Sequence, residues 1–286
     1  MLWQKGRSSD NEVKNKGGGR GLGLGVVVVV IIASLLFDNS PAQIRQWFDV
    51  LSTGDAAGQM TPLPQVASAQ DDQQTEFVRK VLHSTEDVWS QIFRSDGKQY
   101  PAPRFVLFHG KEQSVCGAAS VTMGPFYCPD DRQIYLDLDF FQEMQERFQA
   151  AGDFARAYVI AHEVGHHVQN LLGTSEQVEQ AVQHGESLEG EDGLSMRQEL
   201  QADCLAGVWA YHAQQQQLDW LKSGDVETAL NAATQIGEDT VQKQSRGYVM
   251  PDSFTHGTAA ERVRWFKAGF SSGDIKSCNT FEAAWL

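Results

Sequence analysis

Positive charge is what this 286-residue chain has least of: 23 Lys and Arg stand against 37 Asp and Glu, for a formal net charge of -14. The deficit is uneven. Lys5, Arg7, Lys14, Lys16 and Arg20 against Asp10 and Glu12 give residues 1–20 a net +3, which leaves -17 for the rest. A body this acidic lacks the basic footprint that a nucleic acid requires, so no nucleic-acid partner is expected. Internal repeats are absent, which excludes a stacked array. Cysteine is sparse, at positions 116, 128, 204 and 278. These four suit two disulfides in an exported domain, where the surroundings oxidise them. Of the three connectivities that four cysteines allow, Cys116–Cys128 closes a short loop. It leaves Cys204–Cys278 to staple the C-terminal tail to the helix around residue 204.

Long apolar runs are equally scarce. Residues 21–37 form an uncharged run of 17 residues, at the short end for a membrane-spanning helix. The basic flank before it predicts an N-terminus held in the cytoplasm and a body exported across the inner membrane in a single pass. Ser40-Pro41-Ala42 faintly resembles a signal-peptide cleavage site. The long polar stretch ahead of the run and the proline in the site favour an uncleaved anchor. The chain therefore divides into a cytoplasmic basic tail (1–20), a transmembrane helix (21–37), a polar linker (38–73) and one domain (74–286).

Within that domain, apolar residues recur at helical steps from Phe77 to Phe93, which predicts an amphipathic helix over 74–94. Residues 104–108 and 133–137 read as strands, with Tyr127-Cys128 leading into the second, and 117–120 and 124–125 as loop and turn. Helical character resumes over 140–149. Asp153 is placed to cap a helix that Gly173 ends. Residues 174–195 form an acidic, glycine-bearing excursion, and helices follow over 196–210, 225–244 and 261–270. The pattern is α+β: a mostly helical domain with a small sheet.

The chemistry concentrates in Ala161-His162-Glu163-Val164-Gly165-His166. Two histidines four residues apart project from one face of a helix and can hold a single metal ion. Glu163, beside the first, can act on a water at that ion as general base. A tetrahedral zinc needs a third protein ligand. A third histidine in the pattern His-Glu-x-x-His-x-x-Gly-x-x-His is excluded, because Gln169 and Leu172 occupy the required places. Glu199, on its own helix, is the best candidate, ahead of Glu186, Glu189, Glu191 and Asp192 in the acidic excursion. Asp203, one turn further on, is placed to accept the proton of a ligating histidine's other nitrogen. Glu199, Ala202, Asp203 and Ala206 share a face small enough for another helix to approach closely. His167 points elsewhere and reads as a packed histidine. His256, in a loop before a helix, is the candidate to stabilise an oxyanion, with Arg262 and Tyr248 as fallbacks. Residues 134–137 offer a possible edge for an extended peptide.

Three stretches, 162–169 (His-Glu-Val-Gly-His-His-Val-Gln), 199–207 (Glu-Leu-Gln-Ala-Asp-Cys-Leu-Ala-Gly) and 254–257 (Phe-Thr-His-Gly), together resemble the bacterial predicted neutral zinc metallopeptidases. The resemblance runs over nearly the whole chain and includes the basic-then-apolar N-terminus of a membrane-anchored protein. It implies Zn2+ at His162, His166 and Glu199, Glu163 as base, a zincin-like fold and a peptide or protein substrate. The Glu199/Asp203 spacing is also similar to that of thermolysin-like enzymes, although 32 residues separate His166 from Glu199, more than in that pattern. The expectation is a membrane-tethered zinc metalloendopeptidase with its domain periplasmic or extracellular. Its rivals are a zinc-binding module without turnover, interacting or chaperone-like, and an amidase acting on cell-wall peptide.

Overall fold

The computed structural model describes residues 7–9, 11, 13–16, 69–120, 124–148, 152–190, 192–216, 226 and 256–286. The apolar run 21–37, most of the expected linker, residue Tyr248 and the helix at 225–244 (Val226 apart) lie outside the described residues. Among the described residues no helix is long and apolar enough to cross a membrane. The chain divides into two compact units, residues 17–68 and a body formed by 1–16 with 69–286. All of the described strands and helices belong to the body.

The body is mostly helical, with a small sheet. The sheet is ordered β1 (Val13–Lys16), β2 (Arg104–Phe108), β6 (Gln133–Asp137), β5 (Phe126–Cys128). β1, β2 and β6 run parallel, and β5 is antiparallel to β6. Four of the five residues in each of β2 and β6 are buried, as befits strands covered on both faces. The alternation sorts them. Phe105, Leu107, Ile134 and Leu136 join the helical core, whereas Val106, Phe108 and Tyr135 meet Cys128 on the opposite face.

A separate hairpin pairs β3 (Lys111–Ser114) with β4 (Gly117–Ser120). Residues 117–120 are therefore strand, where a loop was expected. Gly-Ala-Ala-Ser carries no β-branched or aromatic signal, and the pairing comes from the tight turn at 115–116. Cys116, at that turn, is bonded to Cys128 of β5, so the hairpin is tied covalently to the sheet.

Helix α1 (Ala69–Ser95) buries Phe77, Val78, Val81, Leu82, Val88, Trp89 and Phe93 along one face. Each such side chain contributes about 1.5–3 kcal/mol of burial. The helix starts at Ala69, five residues before the expected start at 74. Its first turns are polar, and Asp71 and Asp72 suit the positive end of the helix dipole. Helix α2 (Leu138–Phe148) follows β6 directly.

Three further helices carry the site: α3 (Asp153–Leu172), α5 (Leu194–Gln216) and α6 (Ala259–Ser272), with α4 (Thr174–Gln183) between the first two. Gly173 ends α3 in the left-handed conformation. The start of α3 differs from expectation: Gly152 is the cap, and Asp153 lies inside the first turn, paired with Arg156. α6 opens with a capping box, in which Thr258 and Glu261 each satisfy the other's backbone N–H.

Missing side chains set the distances between these helices. A Cβ on Gly165 of α3 would stand 2.9 Å from the Ala202 carbonyl oxygen of α5. On Gly207 of α5 it would meet Phe266 O at 2.1 Å, and on Gly269 of α6 it would meet Cys204 O at 1.9 Å. α5 thus touches α3 on one side and α6 on another, backbone to backbone. Cys204 is also bonded to Cys278, which fixes the C-terminal 3-10 turn (Ile275–Cys278) to α5. Both disulfides therefore pair as expected.

Candidate metal centre

α3 runs through the core, and the described side chains from Ala157 to Gly165 are buried without a break. His162 and His166 leave it one turn apart, towards the face where Gly165 lets α5 approach. That approach brings Glu199 between them. His162 Nε2 lies 3.1 Å from Glu199 Oε2, His166 Nε2 lies 3.2 Å from His162 Nε2, and His166 Nε2 lies 3.4 Å from Glu199 Oε1. These three residues form a group whose ligand atoms all lie within 4.8 Å of one another.

The hydrogen bonds behind the ligand atoms decide what the group can do. His162 Nδ1 faces Asp203 Oδ1 at 2.8 Å, so its proton goes to that carboxylate. His166 Nδ1 faces Gln169 Oε1 at 2.9 Å. The Gln169 amide cannot be turned round, because its Nε2 donates to Gln198 O at 2.7 Å and to Gln201 Oε1 at 3.1 Å. Both imidazoles thus keep a proton on Nδ1 and turn Nε2 towards each other and a carboxylate, where a metal ion or a second proton can take the lone pair. Such a triangle is self-repelling unless a cation joins it. Its sides match the edge of a zinc tetrahedron with bonds near 2.0–2.1 Å, about 3.3 Å.

Asp203 is fully buried and accepts from several donors. Besides His162 these are Arg262 Nε at 2.9 Å, an Arg262 terminal nitrogen at 3.0 Å, and the Tyr158 hydroxyl. Burial alone would raise its pKa, but Arg262 and His162 outweigh burial and hold it at about 2. For Glu199 burial is likewise outweighed, here by His166, His162 and His256, and its pKa falls well below the usual carboxylate range. Burial opposes charge on His162, yet Asp203 and Glu199 lift it to about 10. A metal ion and protons therefore compete for the same lone pairs.

Glu163 is 6% exposed and stands beside the triangle. Its carboxylate accepts the backbone N–H of Tyr127 in β5, and burial raises its pKa despite His166 and His162 nearby. That shift moves a carboxylate towards use as a base near neutrality. Tyr127 is itself held from α3. Its hydroxyl accepts from Asn170 Nδ2 at 2.8 Å and donates to His167 Nδ1 at 3.1 Å, while His167 Nε2 donates to Pro101 O at 2.6 Å. Burial keeps His167 neutral, with a pKa of about 4.

The remaining candidates separate cleanly. His256 is exposed and close enough to Glu199 for its charge to act there. Gly257, at φ +84°, seats its loop against Leu200 and Met196 of α5. Arg262, a fallback for oxyanion stabilisation, is instead 4% exposed and committed to Asp203 and Tyr158. The edge expected at 134–137 is interior, since β6 lies between β2 and β5. β5 is the edge strand that adjoins the triangle. Glu186, Glu189 and Asp192 line a cavity of about 730 Å³ between α4 and the start of α5, which contains none of the triangle's side chains. Glu191 lies outside the described residues. A second group, His109 with Asp137 and Asp139, is also compact. Its members satisfy one another: Asp137 accepts from the backbone of Gly110 and Asp139, and His109 pairs with Asp139.

Gln169 and Tyr127 were not foreseen as parts of the site. A signal for Gln169 existed, since it stands three residues after His166 on the same helical face. None existed for Tyr127, which reaches Glu163 through backbone alone.

A convergent imidazole pair and carboxylate on two helices, backed by buried acceptors, is a group that could hold a metal ion. The chain belongs to the family described as "Putative neutral zinc metallopeptidase", whose model matches residues 1–281. It is 44% identical to "Uncharacterized protein YpfJ" of Escherichia coli (strain K12) over 286 residues, covering 98% of this chain and 99% of that one. It is 43% identical to "Uncharacterized protein Rv2575" of Mycobacterium tuberculosis (strain ATCC 25618 / H37Rv) over 211 residues, 71% of this chain and 69% of the relative. No solved structure matches.

Proposed function

We propose that this protein is a zinc-dependent endopeptidase in which His162, His166 and Glu199 hold the metal. The observation that carries the reading is the triangle of two imidazole Nε2 atoms and a carboxylate at 3.1–3.4 Å. A zinc ion bound there would polarise a carbonyl and acidify a water. The chain's own residues supply the rest. Asp203 and Gln169 keep the ring protons on Nδ1. Glu163, held by the Tyr127 amide, takes a proton from the attacking water and returns it to the leaving amine. His256, exposed at the rim beside Glu199, donates to the oxyanion. An extended peptide would lie along the outer side of β5, an edge strand among the described residues, which puts its carbonyls next to the triangle.

Two disulfides support an oxidising compartment outside the cytoplasm, and the uncharged run 21–37 supports membrane attachment. The test is zinc content and proteolysis by the full chain with its disulfides intact. Wild type should hold about one zinc per chain; Glu199→Ala should lose it; Glu163→Gln should keep it and lose turnover. A wild-type protein that takes up no zinc on reconstitution ends the reading. Product masses separate cleavage of proteins from cleavage of cell-wall peptide.

A further inference from the structure

Residues 7–16, the basic segment ahead of the apolar run, belong to the same compact unit as the metal centre. β1 pairs in parallel register with β2, Val13 against Phe105 through Lys16 against Phe108. Upstream, Ser9 is 2% exposed. Its N–H donates to Arg79 O at 3.1 Å, its hydroxyl donates to Glu86 at 2.7 Å, and an Arg79 guanidinium nitrogen reaches Ser9 O at 3.4 Å. Ser8 donates to Glu76 at 2.6 Å, and Asn11 Nδ2 donates to Pro103 O at 3.0 Å. Burial raises the Glu86 carboxyl, and the hydrogen bonds from Ser9 and Asn11 offset part of that. These contacts engage two elements of the domain, α1 and the start of β2. The match to the family also begins at residue 1 and so includes this segment.

We propose that the N-terminal segment, with Ser8, Ser9 and Asn11 anchored ahead of β1, is a built-in part of the domain in the working protein, so that the N-terminus and the metal centre lie on the same side of any membrane. The ladder and its flanking hydrogen bonds require direct contact, and a hydrocarbon core of about 30 Å would forbid it. A single crossing at residues 21–37 would pull β1 from β2 and leave Ser9, Glu86 and a sheet edge without partners. The charge pattern favours that crossing. The packing opposes it, and a buried serine bonded through both backbone and side chain is the stronger constraint. Neither the ladder nor the buried serine depends on the peptidase reading.

The native cysteines are all disulfide-bonded, so one introduced cysteine is a unique thiol. Arg7→Cys and Lys98→Cys, both at exposed positions, would be made singly in the full chain and treated with a membrane-impermeant maleimide in intact spheroplasts, then after permeabilisation. Expected is identical behaviour: both react before permeabilisation, or both only after it. Ser9→Cys, in the folded protein, should react at least about tenfold more slowly than Arg7→Cys and catch up on unfolding. Three results would overturn the proposal: labelling of the two exposed positions from opposite sides, a mature chain that has lost residue 7, or a Ser9→Cys thiol as reactive as that of Arg7→Cys.

Discussion

His166 and His162 are oriented by unlike acceptors, an amide oxygen on Gln169 and the carboxylate of Asp203. Gln169 has no charge to contribute, so its role is to fix the position of one proton. Replacing it by Leu frees that proton to move to Nε2, which turns a ligand into a donor. Zinc affinity of Gln169→Leu should fall about 10–100-fold, read by competition with a chromophoric chelator, while thermal stability changes little by comparison. His167, the next residue round the helix from His166, gives a pH signature. Its folded pKa of about 4 lies below the ordinary 6.5, so the unfolded chain takes up a proton that the folded one refuses. Stability from this group is therefore complete above about pH 6.5 and is lost as pH falls towards 4, about 3 kcal/mol in all. Urea midpoints at pH 7 and 4.5 should converge more in His167→Gln, which does not titrate, than in wild type. The residues named by motif in the sequence were the ones that converge. Arg262 was placed wrongly because position along a chain says nothing about whether a guanidinium faces a cleft or a buried carboxylate.

Helix contacts determine whether those side chains meet. Gly269 of α6 lies against the Cys204 carbonyl of α5, one residue from Asp203, and Arg262 bonds Asp203 from two turns earlier on α6. A methyl at residue 269 would overlap backbone that cannot swing aside, and α6 would have to retreat as a unit. Gly269→Ala should cost about 3 kcal/mol or more and weaken zinc binding with no change to any ligand. Denaturation and metal titration of the same sample check both. Elements with a long apolar period were legible in the sequence: α1, α3, α5 and α6 lie where the pattern put them, within a turn or two at each end. The small strands were not. β4 has no β-forming residue, and β1 follows Ser, Asn and Asp in a segment whose charge suggested a tail. Both exist because of partners distant in sequence or a tight turn, which local propensity cannot see.

Across the whole molecule the C-terminus is the keystone of the site. The Cys204–Cys278 bond spans 74 residues, and Arg197 of α5 donates to Thr280 O and Ala283 O. Closing a loop of that length stabilises by about 4 kcal/mol, against about 3 for the 12-residue separation of Cys116–Cys128. The paired variant Cys204→Ser/Cys278→Ser should therefore melt lower than Cys116→Ser/Cys128→Ser in scanning calorimetry, and it should be the variant that loses metal on mild heating. One helix collects these demands. Along α5, Glu199 and Asp203 serve the metal triangle, Ala202 meets α3, Cys204 holds the tail, and Gly207 admits α6. Each direction around its axis is assigned, and residues 202–210 are all buried. Such a helix has almost no freedom to drift. In a saturation scan α1, with one face in water, should reject substitutions only at every third or fourth position, whereas residues 202–210 of α5 should reject them at almost every one. The capacity of this protein to evolve lies in its surface loops and its β5 edge, around an axle that must stay as it is.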